Sequence, residues 1–375
     1  MGAIRQSLSK PGARIIVAAA GGVVIVTALI IGLILVPSGS GSPAVELLAT
    51  ESPSPSASPT VPPPPPSVAN PLNGAMIERA KFDALQQRPP LAVMIENHPD
   101  ARPQAGLNQA DLVYEAIAEG GITRFMAVFW GQDAPRIQYV RSARLYYIQW
   151  ASELSAVYTH WGQVEDPGPV DVWPVLARLN VRDLNGLILG EEVGYRDDSR
   201  AAPHNVYTDT GLLWRSAQAH GYGGPPSFEP WKFKEDQPTR SLSERAAPSV
   251  NVTFGSPGSA FDVTWNYHSE SNDYGRSMGG APHTDAVTGE QLTARNIAVQ
   301  FAPLRPSGIK AYNIIDTVGA GPALVFQDGV VKAGNWKKDG ESGRTRFFDA
   351  AGQEITFNRG RTWIEVVPSD SPVGY

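Results

Sequence analysis

The chain has 375 residues, no cysteine, 42% hydrophobic and 18% charged residues, and a formal net charge of −6. The lack of cysteine excludes disulfides, thiol catalysis, cysteine-ligated zinc and a lipid-modified cysteine. Three positive charges precede position 15, so the rest carries −9, which disfavours nucleic acid and anionic lipid surfaces as partners.

The first element is an uncharged apolar run at positions 15–36. As a helix it is roughly 33 Å long, which is enough to cross the hydrocarbon core of a bilayer. No acid occurs before the run, so we place residues 1–14 in the cytoplasm and everything after position 36 outside. The pattern predicts a single-pass cell-membrane protein with a signal anchor.

A cleaved signal peptide is the alternative, because Ser-Pro-Ala at 42–44 is compatible with a small-x-small cleavage site. The run is longer than the usual apolar region of a signal peptide, and the site ends eight residues beyond it. Both observations favour a retained anchor. Either alternative exports the rest of the chain.

Residues 37–70 are rich in Pro, Ser, Ala, Thr and Gly, with five consecutive prolines at 62–66. This composition cannot bury a core, so we predict a disordered linker. Proline runs favour extended polyproline II, which suits a spacer that crosses the wall. A ligand for a domain with an aromatic groove is the alternative.

The length of the remaining chain suggests two domains. A polar segment with several prolines separates two parts of the chain that differ in their pattern of apolar residues. We place the inter-domain linker in this segment, at 229–249. We expect an α/β domain at 71–228 and a β-rich domain at 250–375.

The first of these domains alternates apolar runs with segments of helical spacing, which is typical of an α/β layer. The runs predict strands at 91–95, 125–130, 156–159 and 186–189. The other segments predict helices at 107–118, 142–154, 170–179 and 210–220, the last with Thr210 as its cap.

The second domain has short strands and turn signals, so we expect mostly antiparallel β-structure. Turns are predicted at Asp328-Gly329 and at Gly352. The strands are predicted at 261–268, 296–301, 323–327, 346–348, 354–357 and 362–367.

Many separate motifs occur in the order found in one known family. In the first part they are PLAVMIEN at 90–97, ARPQAGL at 101–107, ADLVYE at 110–115, EGGITR at 119–124, VRSAR at 140–144 and RAAPHN at 200–205. In the second part they are DG at 328–329, GNW at 334–336, RTRF at 344–347 and GRTWIEVVP at 360–368.

From about residue 70 to 368 the chain therefore resembles the YerB-like lipoprotein family, a two-part domain of unknown function with the number 3048. The resemblance implies a bacterial cell-envelope protein but no established reaction. Many relatives look like lipoproteins anchored through a cysteine, which this chain lacks. The helix at 15–36 is therefore expected to replace the lipid.

Glu96, Asn97 and His98, at the end of a predicted strand, form the first candidate site, with Arg102 and Gln104 following around Pro99 and Pro103. Ligands of α/β sheets commonly bind beyond the carboxyl ends of strands. The alternative is a loop whose polar side chains satisfy the local backbone.

A second candidate site contains Glu119, Arg124, Arg141 and Arg144, with Gly120-Gly121 permitting close approach of the backbone. Arginines aim planar donors at carboxylates or phosphates, so this group suits an anionic or polar ligand. The alternative is a buried network that pairs these arginines with Glu96, Glu115 or Glu119.

A third candidate site joins His160, Arg200, His204 and Asn205. A histidine could act as a general base, with Ser142 as its nucleophile. The alternative is that these histidines only hydrogen-bond within loops.

The remaining motifs predict no chemistry. Gly275 to Gly279 matches the G-x-S-x-G pattern around Ser277, but Gly280 and Pro282 prevent the helix that a nucleophile elbow needs. The histidines lack metal-ligand spacing and no nucleotide-binding fingerprint occurs, so we expect no metal and no cofactor.

We favour a membrane-tethered envelope protein that binds a polar wall-derived ligand or an envelope partner without turnover. The alternative is an envelope hydrolase or transferase that uses paired carboxylates, Glu96 and Glu119, in an arginine-lined cleft. A structural spacer without a cleft is the third possibility. The sequence leaves open whether the protein is an enzyme.

Overall fold

The computed structural model describes residues 65–164, 168–236, 244–255 and 258–375. The predicted anchor at 15–36 and most of the predicted linker at 37–70 lie outside these ranges. Within them, no helix has the length and apolar character needed to cross a membrane. The described residues form one compact unit.

Short helices and many strands make up the described chain. The helices are α1 Arg79–Leu85, α2 Leu145–Ser152, α3 Trp173–Arg178, α4 Gly186–Leu189 and α5 Thr210–Ala219. The strands up to residue 252 are β1 Ser67–Ala69, β2 Met76–Glu78, β3 Leu91–Glu96, β4 Leu112–Glu119, β5 Ile122–Phe129, β6 Ile137–Gln138, β7 Val157–His160, β8 Arg182–Asn185, β9 Tyr195–Arg196, β10 Val206–Thr208, β11 Phe233–Lys234 and β12 Ser249–Val252.

The later strands are β13 Val263–His268, β14 Asp273–Met278, β15 Ala281–Pro282, β16 Thr293–Ala294, β17 Asn296–Ala302, β18 Leu304–Pro306, β19 Asn313–Ile315, β20 Gly319–Gln327, β21 Val330–Lys338, β22 Arg346–Asp349, β23 Phe357–Asn358, β24 Thr362–Pro368 and β25 Val373–Gly374.

A mixed sheet of ten strands is the centre of the fold, in the order β22-β21-β20-β17-β24-β4-β5-β3-β7-β8. Strand β24, near the end of the chain, runs parallel to β4 from the first part and parallel to β17 from the second. One sheet therefore contains strands from both predicted domains. The inter-domain linker at 229–249 stays a prediction.

Alternation along the central strands gives the sheet two buried faces. On one face Tyr114 of β4 stacks on Trp150 of α2, with ring centroids 5.0 Å apart. On the other face Trp363 of β24 packs edge-on against Trp265 of β13, at 5.3 Å. The central sheet is therefore covered by helices α1, α2 and α3 on one side and by a second sheet together with α5 on the other.

This second sheet has six antiparallel strands, β12 to β16 and β25. The expectation of mostly antiparallel structure in the second part is confirmed. The first part of the chain belongs to a mixed, sheet-rich fold with few helices. This result is less specific than the α/β domain that the sequence predicted.

Three predicted elements differ from the structure. Of the strand expected at 354–357, only Phe357 lies in a strand, β23, while Glu354 forms an isolated bridge to Phe348. The other two elements have the wrong type. The helix expected at 107–118 is a 3-10 turn at Leu107–Gln109 followed by strand β4. Nearly every residue of β4 is buried, so its apolar residues show no alternation that would distinguish a strand from a helix. The strand expected at 186–189 is α4, which Asn185 caps by accepting a hydrogen bond from Leu187 N at 3.0 Å.

The helix expected at 210–220 is present as α5, with a different cap. Asp209 accepts a hydrogen bond from Leu212 N at 2.7 Å. Thr210 instead accepts a hydrogen bond from Ala134 N at 3.0 Å. The helix therefore begins one residue after its cap, as N-capping requires.

Candidate functional site

Glu96 closes strand β3 and lies at the centre of a small charged group. Its carboxylate is buried, and Oε1 lies 3.1 Å from Arg141 Nε and 2.9 Å from His204 Nδ1. A backbone hydrogen bond of 3.0 Å from Arg141 N to Met94 O holds the segment that contains Arg141 against strand β3. Glu96, Arg141 and His204, one from each of the three predicted groups, are therefore brought together.

Glu119 forms the next charged group with two arginines. The turn at Gly120 and Gly121, both with positive φ, returns the chain so that Arg124 Nη2 reaches Glu119 Oε1 at 2.9 Å. Arg144, at the start of α2, approaches the same carboxylate at 2.7 Å. Burial disfavours the ionised carboxylate, but the two guanidinium groups outweigh it and lower the pKa of Glu119.

These contacts form the ion pairs that the network alternative anticipated. Arg124 is almost completely buried and also donates from Nη1 to Ser142 O at 2.8 Å. Glu96 and Glu119 are each neutralised by arginine, so both carboxylates already have partners inside the protein. They hold the neighbouring loops in place.

A cleft of about 600 Å³ opens beside these ion pairs. Its walls combine cations and aromatic rings from both parts of the chain. The side chains that give it this character are Arg141, Ser142, Trp161, Arg196, Lys310 and Tyr312. Among the described residues that line it there is no carboxylate.

Cation and ring are adjacent within the cleft. The Arg196 guanidinium lies 5.5 Å from the Trp161 ring, and Lys310 Nζ lies 5.8 Å from the Tyr312 ring. Arg144 approaches the other part of the site, 5.1 Å from the same tyrosine. Such a surface offers positive charge for an anionic group and apolar faces for a flat or sugar-like group.

His160 does not activate Ser142. The imidazole is completely buried, with Nδ1 2.7 Å from Gly162 O and Nε2 2.9 Å from Asp183 Oδ1. Ser142 Oγ donates to Trp161 O at 3.2 Å. Because both imidazole nitrogens are occupied, this histidine fixes the loop at the end of β7 and is not available as a base.

Asn97 and Arg102 belong to a different environment from the cleft. Asn97 is fully buried and donates to Thr123 Oγ1 at 2.7 Å. Arg102 donates to Asn97 O at 3.0 Å and to Ala260 O at 2.7 Å. These two candidate residues tie the central sheet to the second part of the chain.

Arg200 and Asn205 support the site from its rim. Arg200 Nη1 donates to Asp100 O at 2.6 Å. Asn205 Oδ1 accepts from Arg196 Nη1 at 2.7 Å and so positions a cation of the cleft. Neither residue is among those that line the cleft.

Ser277 lies in β14, and a turn and strand β15 follow it. No helix follows the serine, so the geometry of a nucleophile elbow is absent at this described segment, as the sequence predicted.

One group among the described residues could hold a metal ion. His98, Asp100 and His204 each offer a ligand atom, and these atoms lie within 4.8 Å of one another. The sequence pattern did not reveal them, because His204 is more than 100 positions from the other two. They come together only in the folded chain.

Sequence reasoning also missed Trp161, Arg196, Lys310 and Tyr312. Trp161 lies two residues after a predicted strand, so its position was a usable signal. Lys310 and Tyr312 lie in the second part of the chain and carry no motif that links them to the first.

Comparison with known proteins decides the family. Residues 77–223 match the N-terminal domain, and residues 250–364 the C-terminal domain, of the protein of unknown function DUF3048. "Putative lipoprotein YerB" of Bacillus subtilis (strain 168) is 31% identical over 303 residues, which cover 80% of this chain and 86% of the relative. The chain belongs to this family. The resemblance read from the motifs is thereby confirmed.

A solved structure of the DUF3048 family has the same fold. The crystal structure of the YerB protein from Bacillus subtilis has a TM-score of 0.71 at 30% identity, and covers 82% of this chain and 100% of its own. In the present DUF3048 protein the cleft takes Arg141 from the N-terminal matched region and Tyr312 from the C-terminal one. Both matched regions therefore contribute to the candidate site.

Proposed function

We propose that this chain is a single-pass, extracytoplasmic cell-envelope protein that binds an anionic fragment of the cell wall without turnover. The charge-free run at 15–36 supports the location, together with the word lipoprotein in the name of the Bacillus subtilis relative. The cleft supports the binding function.

The single observation that carries the proposal is the sign of the charge in the cleft. The chain beyond the apolar run carries a net charge of −9, yet Arg196 lines the cleft, and among the described residues no carboxylate lines the cleft or forms an ion pair with Arg196. Arg141 also lines the cleft, where Glu96 offsets its charge. A concave positive site on an acidic protein attracts anions selectively. The neighbouring rings of Trp161 and Tyr312 suit the apolar face of a sugar.

The fixed state of the carboxylates favours binding over hydrolysis. A glycoside hydrolase needs one carboxyl that holds a proton near neutral pH, which requires a raised pKa. The arginines lower the pKa of Glu119 instead, and Glu96 is held by Arg141 and His204. Glu119 is therefore not arranged as a general acid.

Calorimetric titration of the full chain in detergent tests the proposal. The probe is a soluble muramyl peptide with free carboxylates, and the matched control is the same peptide with its carboxylates amidated. We expect saturable binding of the first and at least about tenfold weaker binding of the second, since the anion supplies the contact with the cations. Equal affinity for both, or no heat with either, would contradict the proposal.

A further inference from the structure

Two histidines stack on one another, and the carboxylate of Asp100 lies close to both. The rings of His98 and His204 have centroids 4.9 Å apart and an interplanar angle of 26°. Asp100 Oδ2 lies 3.5 Å from His98 Nδ1. The three side chains place two imidazoles and one carboxylate around one point near the surface.

The fold brings this group together from two segments. His98 follows strand β3 and caps the 3-10 turn Pro99–Ala101, so it shares this turn with Asp100. His204 comes from the loop that precedes β10, where its amide donates to Ala201 O at 3.1 Å. The turn itself is held by Arg200, which donates to Asp100 O.

Glu96 lies behind His204 in the arrangement that orients metal-binding histidines. Its Oε1 is 2.9 Å from His204 Nδ1, but the angle does not make a hydrogen bond. A small rotation of the imidazole would let Glu96 accept a proton from Nδ1 and would leave the lone pair on Nε2 for a metal ion. The other oxygen, Oε2, is buried and has no hydrogen-bond partner among the described residues. A carboxylate behind a histidine is a frequent partner of a metal ligand.

We propose that His98, Asp100 and His204 bind a divalent transition-metal ion of the Zn²⁺ type, with Glu96 as the positioning residue. Two imidazoles and a carboxylate suit zinc, and three protein ligands leave a further coordination position open to water or to a ligand. This site goes beyond the proposed wall-fragment binding, because it needs no contact in the cleft.

The three ligand atoms must move closer together to coordinate an ion. Ligand atoms about 2 Å from a tetrahedral ion lie about 3.4 Å from one another, which is less than the 4.8 Å span of the present group. The Asp100 side chain is 72% exposed and His98 is 34% exposed, so both side chains have room to rotate. Arg200 adds a positive charge nearby, which limits the affinity. His98 Nδ1 accepts a hydrogen bond from Asp100 N at 3.3 Å, so metal binding by His98 also requires that this cap opens.

Metal titration of the full chain tests the site without any wall fragment. The protein is stripped with a chelator, and Zn²⁺ is added in competition with a chromophoric chelator while bound metal is counted. We expect one ion per chain. Cobalt substitution is expected to give the strong visible absorption of a four-coordinate Co²⁺ centre.

Variants separate this site from adventitious binding. His98→Ala, His204→Ala and Asp100→Asn are expected to weaken binding at least about tenfold, and Glu96→Gln by about 10- to 100-fold with one site retained. His268→Ala is the matched control, because His268 also lies near a carboxylate, 3.0 Å from Asp273, and is partly exposed. It is expected to bind like the wild type.

Uptake of less than half an ion per chain at saturating Zn²⁺ would overturn the proposal. So would one bound ion whose affinity is unchanged in His98→Ala, His204→Ala and Asp100→Asn, since the ion would then lie elsewhere. Asp100→Asn keeps the test valid if a histidine variant fails to fold, because the Asp100 side chain is largely exposed. Failure of muramyl-peptide binding leaves this titration unaffected.

Discussion

Arg276 and Glu115, 161 positions apart in the chain, form an ion pair that is completely buried between the two sheets. Arg276 belongs to β14 of the small sheet and Glu115 to β4 of the central sheet. Thr123 also donates to Glu115, at 2.6 Å. The two parts of the chain thus share a charge network that neither part could complete alone.

Removal of the cation from this network should strongly destabilise the fold. Arg276→Met leaves Glu115 buried without its counter-charge, so we expect a loss of about 3–5 kcal/mol in the free energy of unfolding. Denaturant titration measures it. Arg305→Met is the control, because the pair of Arg305 with Asp316 is about half exposed and should cost about 1 kcal/mol or less. Equal losses in both variants would contradict this account.

Glu365 gives the network a second testable property. Burial and then the charge of Glu115 raise the pKa of Glu365 well above 4.5, although Arg276 opposes the shift. The folded state thus holds a proton that the unfolded state releases above about pH 4.5, so this group makes stability fall as pH rises.

Glu365→Gln should remove this pH dependence and keep the hydrogen bond accepted from Trp265 Nε1, which is 2.9 Å long. We expect the variant and the wild type to have similar free energies of unfolding near pH 4. As pH rises to 8, the variant should become more stable relative to the wild type. Denaturant titrations across this range measure the difference. A difference that stays constant with pH would show that Glu365 does not hold its proton.

Glu153 should make the stability rise with pH, which is the opposite of the effect expected for Glu365. It is buried and accepts hydrogen bonds from Lys338 at 2.7 Å and from Thr345 Oγ1 at 2.7 Å. Burial alone would raise its pKa, but Lys338 and Arg344 outweigh it and lower the pKa to about 2. The stabilisation is therefore complete above about pH 4.5 and is lost as pH falls toward 2.

Glu153→Gln tests this sign. We expect a loss of about 3–5 kcal/mol at pH 7, because two cations lose their buried counter-charge. The difference from the wild type should shrink as pH falls from about 4.5 toward 2. A difference that grows in acid would contradict the assignment.

Ser142 provides a test of the enzymatic alternative. Its hydroxyl donates to Trp161 O, and His160 uses both imidazole nitrogens in other contacts. We expect a fluorophosphonate probe to leave the chain unlabelled, because the serine lacks a base. Labelling that disappears in Ser142→Ala would instead support a nucleophilic serine.

Several strands could be predicted because their signals are local. The apolar run at 91–95 and the Asp328-Gly329 turn both appear in the structure as expected, in β3 and in the β20–β21 hairpin. Strand β4 could not be distinguished from a helix, because both of its faces are buried by partners distant in sequence. Its neighbour β24 begins 250 positions after it, at Thr362.

Residues of the candidate site were likewise predictable only where their signals are local in the sequence. Residues near a strand end or turn, such as Glu96 and Arg124, stood out in the sequence and do lie beside one another, on paired strands. Their ligand-binding roles stay predictions. Arg196 and Tyr312 line the cleft through long-range packing, which leaves no periodic or motif signal in a single sequence.

The affinity of a cleft variant for the muramyl peptide tests the central claim most directly. Arg196→Gln/Lys310→Gln removes two exposed cations of the cleft, and Arg79→Gln/Lys81→Gln removes two exposed cations of α1 as the matched control. We predict that the first variant binds at least about tenfold more weakly and that the second binds like the wild type. Equal affinity in the two variants would contradict a ligand site in this cleft.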